Sequence, residues 1–194
     1  MASTPIGKQA VVIGAGMGGL TAAGALADHF DQVVVLERDT LPSEPTYRAG
    51  TPQARHVHGL LLSGQRALSE LFKGFEQDLA GLGAVPLRVG LDVRMERPGY
   101  DPFPQRDLGW SSYAVSRPTI ERAVRRRVES RANTTLRQRC RVQEMLASPN
   151  GGAVTGVRYE NGNGGSETIA ADLVVDASSQ SFQAHFLCGF QSDV

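Results

Sequence analysis

Cysteine and net charge are both scarce in this sequence. The two cysteines, Cys140 and Cys188, lie far apart and neither belongs to a C-x-x-C pair, which argues against a disulfide framework and a cysteine-based metal site. The formal net charge is zero, because 20 Lys and Arg balance 20 Asp and Glu. No overall charge therefore favours nucleic acid or an anionic membrane as a partner.

Long apolar runs are lacking as well. No run approaches the roughly 20 residues that a membrane-spanning helix needs, and residues 1–8, MASTPIGK, do not resemble a signal peptide. Together with the few cysteines, these absences predict a soluble protein of a reducing compartment, the cytoplasm. A length of 194 residues is typical of one domain.

The most informative segment is residues 10–37, AVVIGAGMGGLTAAGALADHFDQVVVLE. Its apolar runs, residues 10–13 and 33–36, are rich in β-branched residues, as is typical of buried parallel strands. A G-x-G-x-x-G loop and a helical pattern of small residues lie between them, and an acid follows the second run, about 20 residues after the loop. The combination is more specific than the glycines alone. It predicts a Rossmann-like FAD/NAD(P)-binding α/β domain.

Each part of this segment has a physical role in holding a dinucleotide. Gly14 permits the tight turn, Gly16 lets the backbone approach a pyrophosphate, and Gly19 lets the helix pack closely on the strand. The start of the helix offers N–H groups and a positive dipole end to phosphates. Glu37 is placed to accept hydrogen bonds from ribose hydroxyls, and its charge favours FAD or NAD over NADP. The remaining predicted contacts are the loop residues Ala15, Met17 and Gly18. The alternative is that the glycines serve turning and packing alone.

The middle of the chain predicts short helices and loops. Residues 38–55 form a polar segment, long enough for a functional loop. An amphipathic helix follows, with its apolar residues on or near one face and Gln65 outside that face; these apolar residues are Leu61, Leu68, Leu71 and Phe72. We also predict a short helix over residues 75–79, a strand over 91–95 and a proline-rich loop over 98–107.

Residues 116–132 predict an arginine-rich helix. Ser116 is a suitable cap, and Glu121 lies in the first turn. Ile120, Val124 and Val128 form an apolar stripe at helical spacing. We interpret the arginines as a solvated face, because no aromatic residues alternate with them as in a nucleic-acid site.

The last third of the chain has the pattern of strands. The predicted strands over residues 135–138, 140–147, 153–159 and 167–171 are separated in part by the turn sequences PNGG and NGNGG, which predict an antiparallel meander. Residues 172–177, DLVVDA, then predict a buried strand that ends in Asp176 and small residues. The predicted fold class is thus α/β, with a parallel sheet plus an antiparallel β-meander.

Several ordered segments carry a family resemblance. VVIGAGMGGLTAA with VVVLERD, PQARHVHGLL, SRPTIERAVRRRV and ADLVVDAS resemble the N-terminal FAD-binding part of FAD-dependent monooxygenases of the aromatic hydroxylase type, a group similar to squalene epoxidases and flavin-dependent halogenases. The resemblance covers nearly the whole chain. It implies an FAD with its AMP half on the first βαβ unit, NAD(P)H as reductant, and oxygen transfer to an apolar or aromatic substrate.

The resemblance also implies roles for residues outside the glycine loop. Arg38 resembles the arginine of a Glu-Arg pair near the adenine, and Arg117 matches an arginine at the start of a helix near the FAD phosphates. Val142 belongs to a segment that matches a strand whose backbone contacts adenine. Asp176 matches the acid of a short motif tied to FAD and the reductant.

No metal site and no catalytic residue is predicted. His56 and His58 are one residue apart, but no further ligands follow at a suitable spacing. In the chemistry that the resemblance implies, the cofactor performs the oxygen activation and the protein supplies position and electrostatics.

Two departures from the family pattern shape the domain prediction. Residues 176–181, DASSQS, lack the glycine and the arginine of a D-A-S/T-G-R-G-S motif, and no G-D-A motif occurs in the chain. The resemblance therefore implies that residues 1–194 are one FAD-binding domain without the C-terminal FAD motif and the substrate domain. Exposed apolar surface is then expected to promote self-association.

Two alternatives to a monooxygenase stay open. One is a truncated nucleotide-binding fragment that is catalytically inactive. The other is a flavin-dependent halogenase or a prenyl-lipid reductase, although the halogenase signature W-x-W-x-I-P is absent from this chain.

Overall fold

The computed structural model describes residues 4–56 and 59–178. Its strands are, in chain order, β1 (Gly7–Ile13), β2 (Phe30–Leu36), β3 (Val85–Arg88), β4 (Ser111–Ala114), β5 (Thr134–Arg137), β6 (Arg141–Ala147), β7 (Val154–Glu160), β8 (Ser166–Ala170) and β9 (Leu173–Asp176). Its α-helices are α1 (Met17–Leu26), α2 (Leu62–Leu71), α3 (Phe75–Gly81) and α4 (Arg117–Glu129), and a 3₁₀-helix covers Pro52–Arg55.

A parallel sheet of four strands, in the order β5-β2-β1-β9, organises the fold. Val12 of β1 lies between Val35 of β2 and Val175 of β9. Helix α1 connects β1 to β2. The predicted βαβ unit and the predicted Rossmann-like α/β class are therefore confirmed.

The two faces of the parallel sheet pack into separate cores. Val12, Val33 and Val35 face the helices and belong to one apolar core with residues of α1, α3 and α4. Their neighbours in sequence, such as Val11 and Val34, face the opposite side and pack with residues of the meander. Successive side chains of a strand point to opposite faces. Both faces are thus covered, which explains why β1 and β2 are continuous apolar runs rather than alternating ones.

The antiparallel meander is confirmed for β6, β7 and β8, which pair in that order. The assignment of residues 135–138 to it was wrong, because β5 pairs in parallel with β2, Val33 lying opposite Thr134. The physical reason is turn chemistry: Asn/Gly turns follow β6 and β7, whereas β5 and β6 are joined through Arg139, which has a positive φ of 55°. The predicted buried strand at residues 172–177 is β9, whose side chains are only partly buried or exposed.

Two predictions for the middle of the chain were wrong in detail. Leu61 precedes α2 and is 75 % exposed, whereas Gln65 is 6 % exposed and donates to Glu76. Residues 91–95 form no strand; the backbone turns there because the Arg88 N–H donates to the carboxylate of Asp92. The strand of this region is β3, which pairs with β4.

Helix α4 begins at the predicted cap, where Ser116 Oγ accepts the Thr119 N–H. The interpretation of its arginines as a solvated face was wrong for Arg125, which is 3 % exposed and donates to the carbonyl of Pro42. Burial lowers the pKa of this guanidinium. Across the part of the chain that the structure describes, no helix is long and apolar enough to cross a membrane.

Candidate dinucleotide site

A cleft of about 360 Å³ opens at the carboxyl ends of the parallel strands. The residues that follow β1 and β2 lie at this edge together with the residues that follow β9. In open α/β sheets this edge is where ligands bind. Most of the predicted site residues line the cleft: Gly14, Gly16, Met17, Gly18, Glu37, Arg38, Arg117 and Val142.

The glycine loop forms the floor of the cleft. Gly14 has a φ of +95°, which favours glycine, and its N–H donates to the carbonyl of Leu36. A Cβ on Gly19 would lie 1.8 Å from the carbonyl oxygen of Gly14, whereas a Cβ on Gly16 would meet no atom within 4 Å. Gly19 is thus required by packing, and Gly16 borders open space at the amino end of α1, where the helix dipole is positive.

Glu37 is buried at the wall of the cleft, with 4 % of its surface exposed. Its Oε2 accepts the Ala15 N–H at 2.7 Å, and its Oε1 accepts the Asp39 N–H at 3.0 Å. The predicted residue Ala15 is itself fully buried, and its backbone fixes the acid rather than lining the cleft. A carboxylate has about four lone-pair directions, so capacity remains for a further donor.

Arg48 is a residue of this site that the sequence did not indicate. Its side chain is only 7 % exposed and lies 3.5 Å from Glu37 Oε2. Its Nε donates to Glu121 at 2.8 Å, and its Nη1 donates to Asp39 at 3.1 Å. Burial alone would lower the pKa of this guanidinium, but the carboxylates of Glu121, Glu37 and Asp39 raise it above its ordinary value.

Arg117 is brought to the cleft by the first turn of α4. Among the described residues, its Nε is one of the few buried side-chain atoms without a hydrogen-bond partner. A buried donor that no protein group satisfies is costly, since it loses its bonds to water. The arrangement fits an acceptor supplied by a ligand.

The far end of the cleft is formed by residues around the β5–β6 connection. Val142 of β6 lines it together with Cys140, whose N–H donates to the carbonyl of Glu37 at 2.8 Å. Burial raises the pKa of the Cys140 thiol. Arg38 is partly exposed there, with its Nε 3.8 Å from Asp39.

Asp176 is not among the cleft-lining residues. It ends β9 opposite Ile13, and its Oδ1 accepts the Ser178 N–H at 2.9 Å. The two residues that follow it, Ala177 and Ser178, do line the cleft. The altered residues 179–181 lie outside the described part of the chain, as do His58 and Cys188.

The sheet and the cleft at its edge define a Rossmann-like α/β architecture, and the comparisons with solved structures agree. The myxobacterial chondrochloren halogenase CndH, a variant of FAD-dependent halogenases, matches with a TM-score of 0.63 and 24 % identity over 92 % of this chain and 39 % of its own. PqsL, a probable FAD-dependent monooxygenase from Pseudomonas aeruginosa, matches with a TM-score of 0.65 and 16 % identity over 93 % of this chain and 45 % of its own. The resemblance to FAD-dependent monooxygenases and halogenases is thus confirmed as a likeness of fold.

A comparison of sequences adds one relative. Protein Rv3254 of Mycobacterium tuberculosis (strain ATCC 25618 / H37Rv) is 36 % identical over 180 residues, which cover 89 % of this chain. The chain spans only 38 % of the length of that relative. No protein-family model matches the chain.

Proposed function

We propose that the cleft binds FAD, and that the chain is the FAD-binding part of a flavin-dependent monooxygenase that uses NAD(P)H and O₂ on an apolar or aromatic substrate. The observation that carries this proposal is the meeting of three elements at one sheet edge: the glycine loop, the buried acid Glu37 and the unpartnered donor of Arg117. The cleft volume also lies in the range of about 300–1,000 Å³ that small-molecule sites occupy.

The phosphate side of the site is proposed to consist of the glycine loop and the first turn of α4. Gly16, Met17 and Gly18, which line the cleft at the start of α1, would present backbone N–H groups and the positive end of the helix to the pyrophosphate. Gly14 and Gly19 would shape the turn and its packing, and Ala15 would hold Glu37 through its N–H. The open space next to Gly16 supports this assignment, because it leaves room for a phosphate close to the backbone. Arg117 Nε would donate to a phosphate oxygen.

The adenosine side is proposed to lie at the β2 end of the cleft. Glu37 would accept the ribose hydroxyls with the lone pairs that Ala15 and Asp39 leave unused. Arg38 and Val142 would flank the adenine, and Asp176 would hold the turn after β9 through its bond to the Ser178 N–H.

When bound, FAD supplies the redox and oxygen chemistry, and the chain's own residues bind and orient it. We propose no catalytic residue. We propose that residues 1–194 are one FAD-binding domain, and that monooxygenase activity is a property of longer proteins with this fold. Halogenation is the alternative activity, since the halogenase CndH is among the solved structures with this fold.

Titration of the chain with FAD, followed by quenching of flavin fluorescence, tests the proposal. We expect binding at micromolar concentration or below. Glu37→Gln and Arg117→Met should each weaken it roughly tenfold, the cost of about 1.5 kcal/mol for losing a hydrogen bond to a charged group. Arg126→Met is the matched control, because Arg126 lies on the exposed side of the same helix.

Absence of FAD binding to the folded chain would contradict the proposal. Equal affinities of the wild-type chain and both site variants would contradict the assignment of the site. A chain that binds FAD but does not oxidise NAD(P)H would agree with the interpretation of an FAD-binding part that is inactive on its own.

A further inference from the structure

Arg48 connects four separate parts of the site wall. Its Nη2 donates to the carbonyl of Ala15 in the glycine loop at 3.2 Å. Its other nitrogens reach Glu37 and Asp39, which follow β2, and Glu121 on α4. The residue itself comes from the long loop that precedes the 3₁₀-helix. A single guanidinium therefore links the glycine loop, the end of β2 and α4 to the long loop that carries Arg48.

The charges around Arg48 explain why it is needed. The side chains of Glu37 and Glu121 are both less than one-tenth exposed, and Asp39 is one-fifth exposed. Three carboxylates at such short range repel one another, and buried charges are tolerated only when they are paired. Arg125 adds a second cation beside Glu121, but its head group donates to the carbonyl of Pro42. Arg48 is the cation that bonds the carboxylates together.

The position of Glu121 extends this link to the phosphate side of the cleft. Glu121 lies one helical turn after Arg117 on α4, and residues four apart share one face of a helix. Through its bonds to Glu121 and to the Ala15 carbonyl, Arg48 therefore links the first turns of α4 to the glycine loop. The contact with Glu37 adds an ion pair at 3.5 Å to the two backbone hydrogen bonds that hold the proposed ribose acceptor.

We infer that Arg48 is a positioning residue of the FAD site: it holds Glu37 and, through Glu121, Arg117 in the mutual arrangement that one dinucleotide spans. This inference rests on the proposed function. Arg48 lines the cleft, but its hydrogen bonds go to protein acceptors in the glycine loop, at the end of β2 and on α4, so we assign it a role through these neighbours.

The test compares Arg48→Lys and Arg48→Met with the wild-type chain, using FAD and ADP as probes and the Tm as a readout of folding. Lysine keeps the charge but cannot bridge several acceptors in fixed geometry. We expect Arg48→Lys to lower the Tm less than Arg48→Met does. Both variants should weaken FAD and ADP by roughly tenfold or more, the usual cost of a broken charged hydrogen bond.

A double-mutant cycle separates positioning from general stability. If Arg48 acts through Glu37, Arg48→Met should weaken FAD binding much less in a Glu37→Gln background than in the wild-type chain. Arg127→Met is the matched control, since it removes an ion pair of α4 with Asp78, outside the cleft. That control should lower the Tm without changing the affinity of the folded chain for FAD.

The outcomes distinguish this inference from the proposed function. If the wild-type chain binds no FAD, both are overturned. If the wild-type chain binds FAD and the Arg48→Met chain binds it equally well, the positioning role is overturned and the proposed function stands. The same holds if the losses of FAD affinity caused by Arg48→Met and by Glu37→Gln add up in the double variant. If the Arg48→Met chain does not fold, a double-mutant cycle of Glu121→Gln with Arg117→Met takes its place. Glutamine keeps the shape of the Glu121 side chain and removes its charge. Additive losses of FAD affinity in that cycle overturn the inference.

Discussion

At the scale of single residues, two glycines of the G-x-G-x-x-G motif, Gly16 and Gly19, differ in what an added methyl group would meet. A Cβ on Gly19 would press against the Gly14 carbonyl, so Gly19→Ala should destabilise the fold by at least about 1–3 kcal/mol, as overpacking does. A Cβ on Gly16 would meet nothing, so Gly16→Ala should leave the Tm unchanged. The same methyl group would occupy the space of the proposed pyrophosphate, so FAD affinity should fall by roughly tenfold or more.

Thermal unfolding and FAD titration of both variants check this pair. Each glycine serves as the control for the other, because the substitution is the same. A Gly16→Ala chain that binds FAD as tightly as the wild-type chain would show that no phosphate approaches this part of the backbone.

The sequence predicted only some of the residues that meet in the cleft. Gly14, Gly16 and Glu37 were predictable, because local spacing places them at the ends of two adjacent parallel strands. Arg48 was not, because it lies in an irregular loop where no periodicity distinguishes it from other arginines. Its role depends on contacts with Glu121, 73 positions further along the chain.

At the scale of elements, the accuracy of prediction followed the strength of local signals. Helix α1 and strands β1 and β2 were predictable from a long apolar pattern with glycine punctuation. The partner of β5 was not, because four residues of β propensity specify a strand but not its neighbour. Burial of Gln65 also escaped the periodicity argument, since its side chain is held by Glu76 in a polar contact.

The packing of α1 gives a prediction of its own. Gly24 lies on the buried face of α1, and a Cβ there would come 2.4 Å from the ring of Phe72. Phe72 is only 2 % exposed and has little room to move. Gly24→Ala should therefore destabilise the chain by about 1–3 kcal/mol, although alanine favours helices by about 1 kcal/mol over glycine.

Urea unfolding measures this effect, with Gly64→Ala in α2 as the control. The nearest atom to a Cβ on Gly64 belongs to Leu60, at an ordinary contact distance of 3.5 Å. We expect Gly64→Ala to be neutral or stabilising. The packing explanation fails if Gly24→Ala is as stable as Gly64→Ala, or if Phe72→Leu does not recover part of the loss.

At the scale of the whole molecule, several large apolar side chains face solvent. Met95, Tyr100 and Phe103 each have more than half of their surface exposed, in the loop between β3 and β4. Exposed apolar patches favour association. We expect the chain to form reversible oligomers as its concentration rises, and Tyr100→Ser with Phe103→Ser to shift it towards the monomer.

Sedimentation velocity over a range of concentrations measures this equilibrium. Arg94→Ser in the same loop is the control, because it alters an exposed ion pair with Glu96 and leaves the apolar side chains in place. A wild-type chain that sediments as a monomer at high concentration would contradict the expectation.

The two cores on either side of the parallel sheet have a consequence for how this chain tolerates changes of length. Alternate residues of β1 belong to different cores, so inserting or deleting one residue would exchange the two sets of side chains. The same change would move Gly14 and Glu37 relative to each other at the cleft. Indels are thus doubly excluded from β1 and β2. The turn between β6 and β7, at the end of the meander remote from the cleft-lining residues Arg141 and Val142, is freer to vary in length.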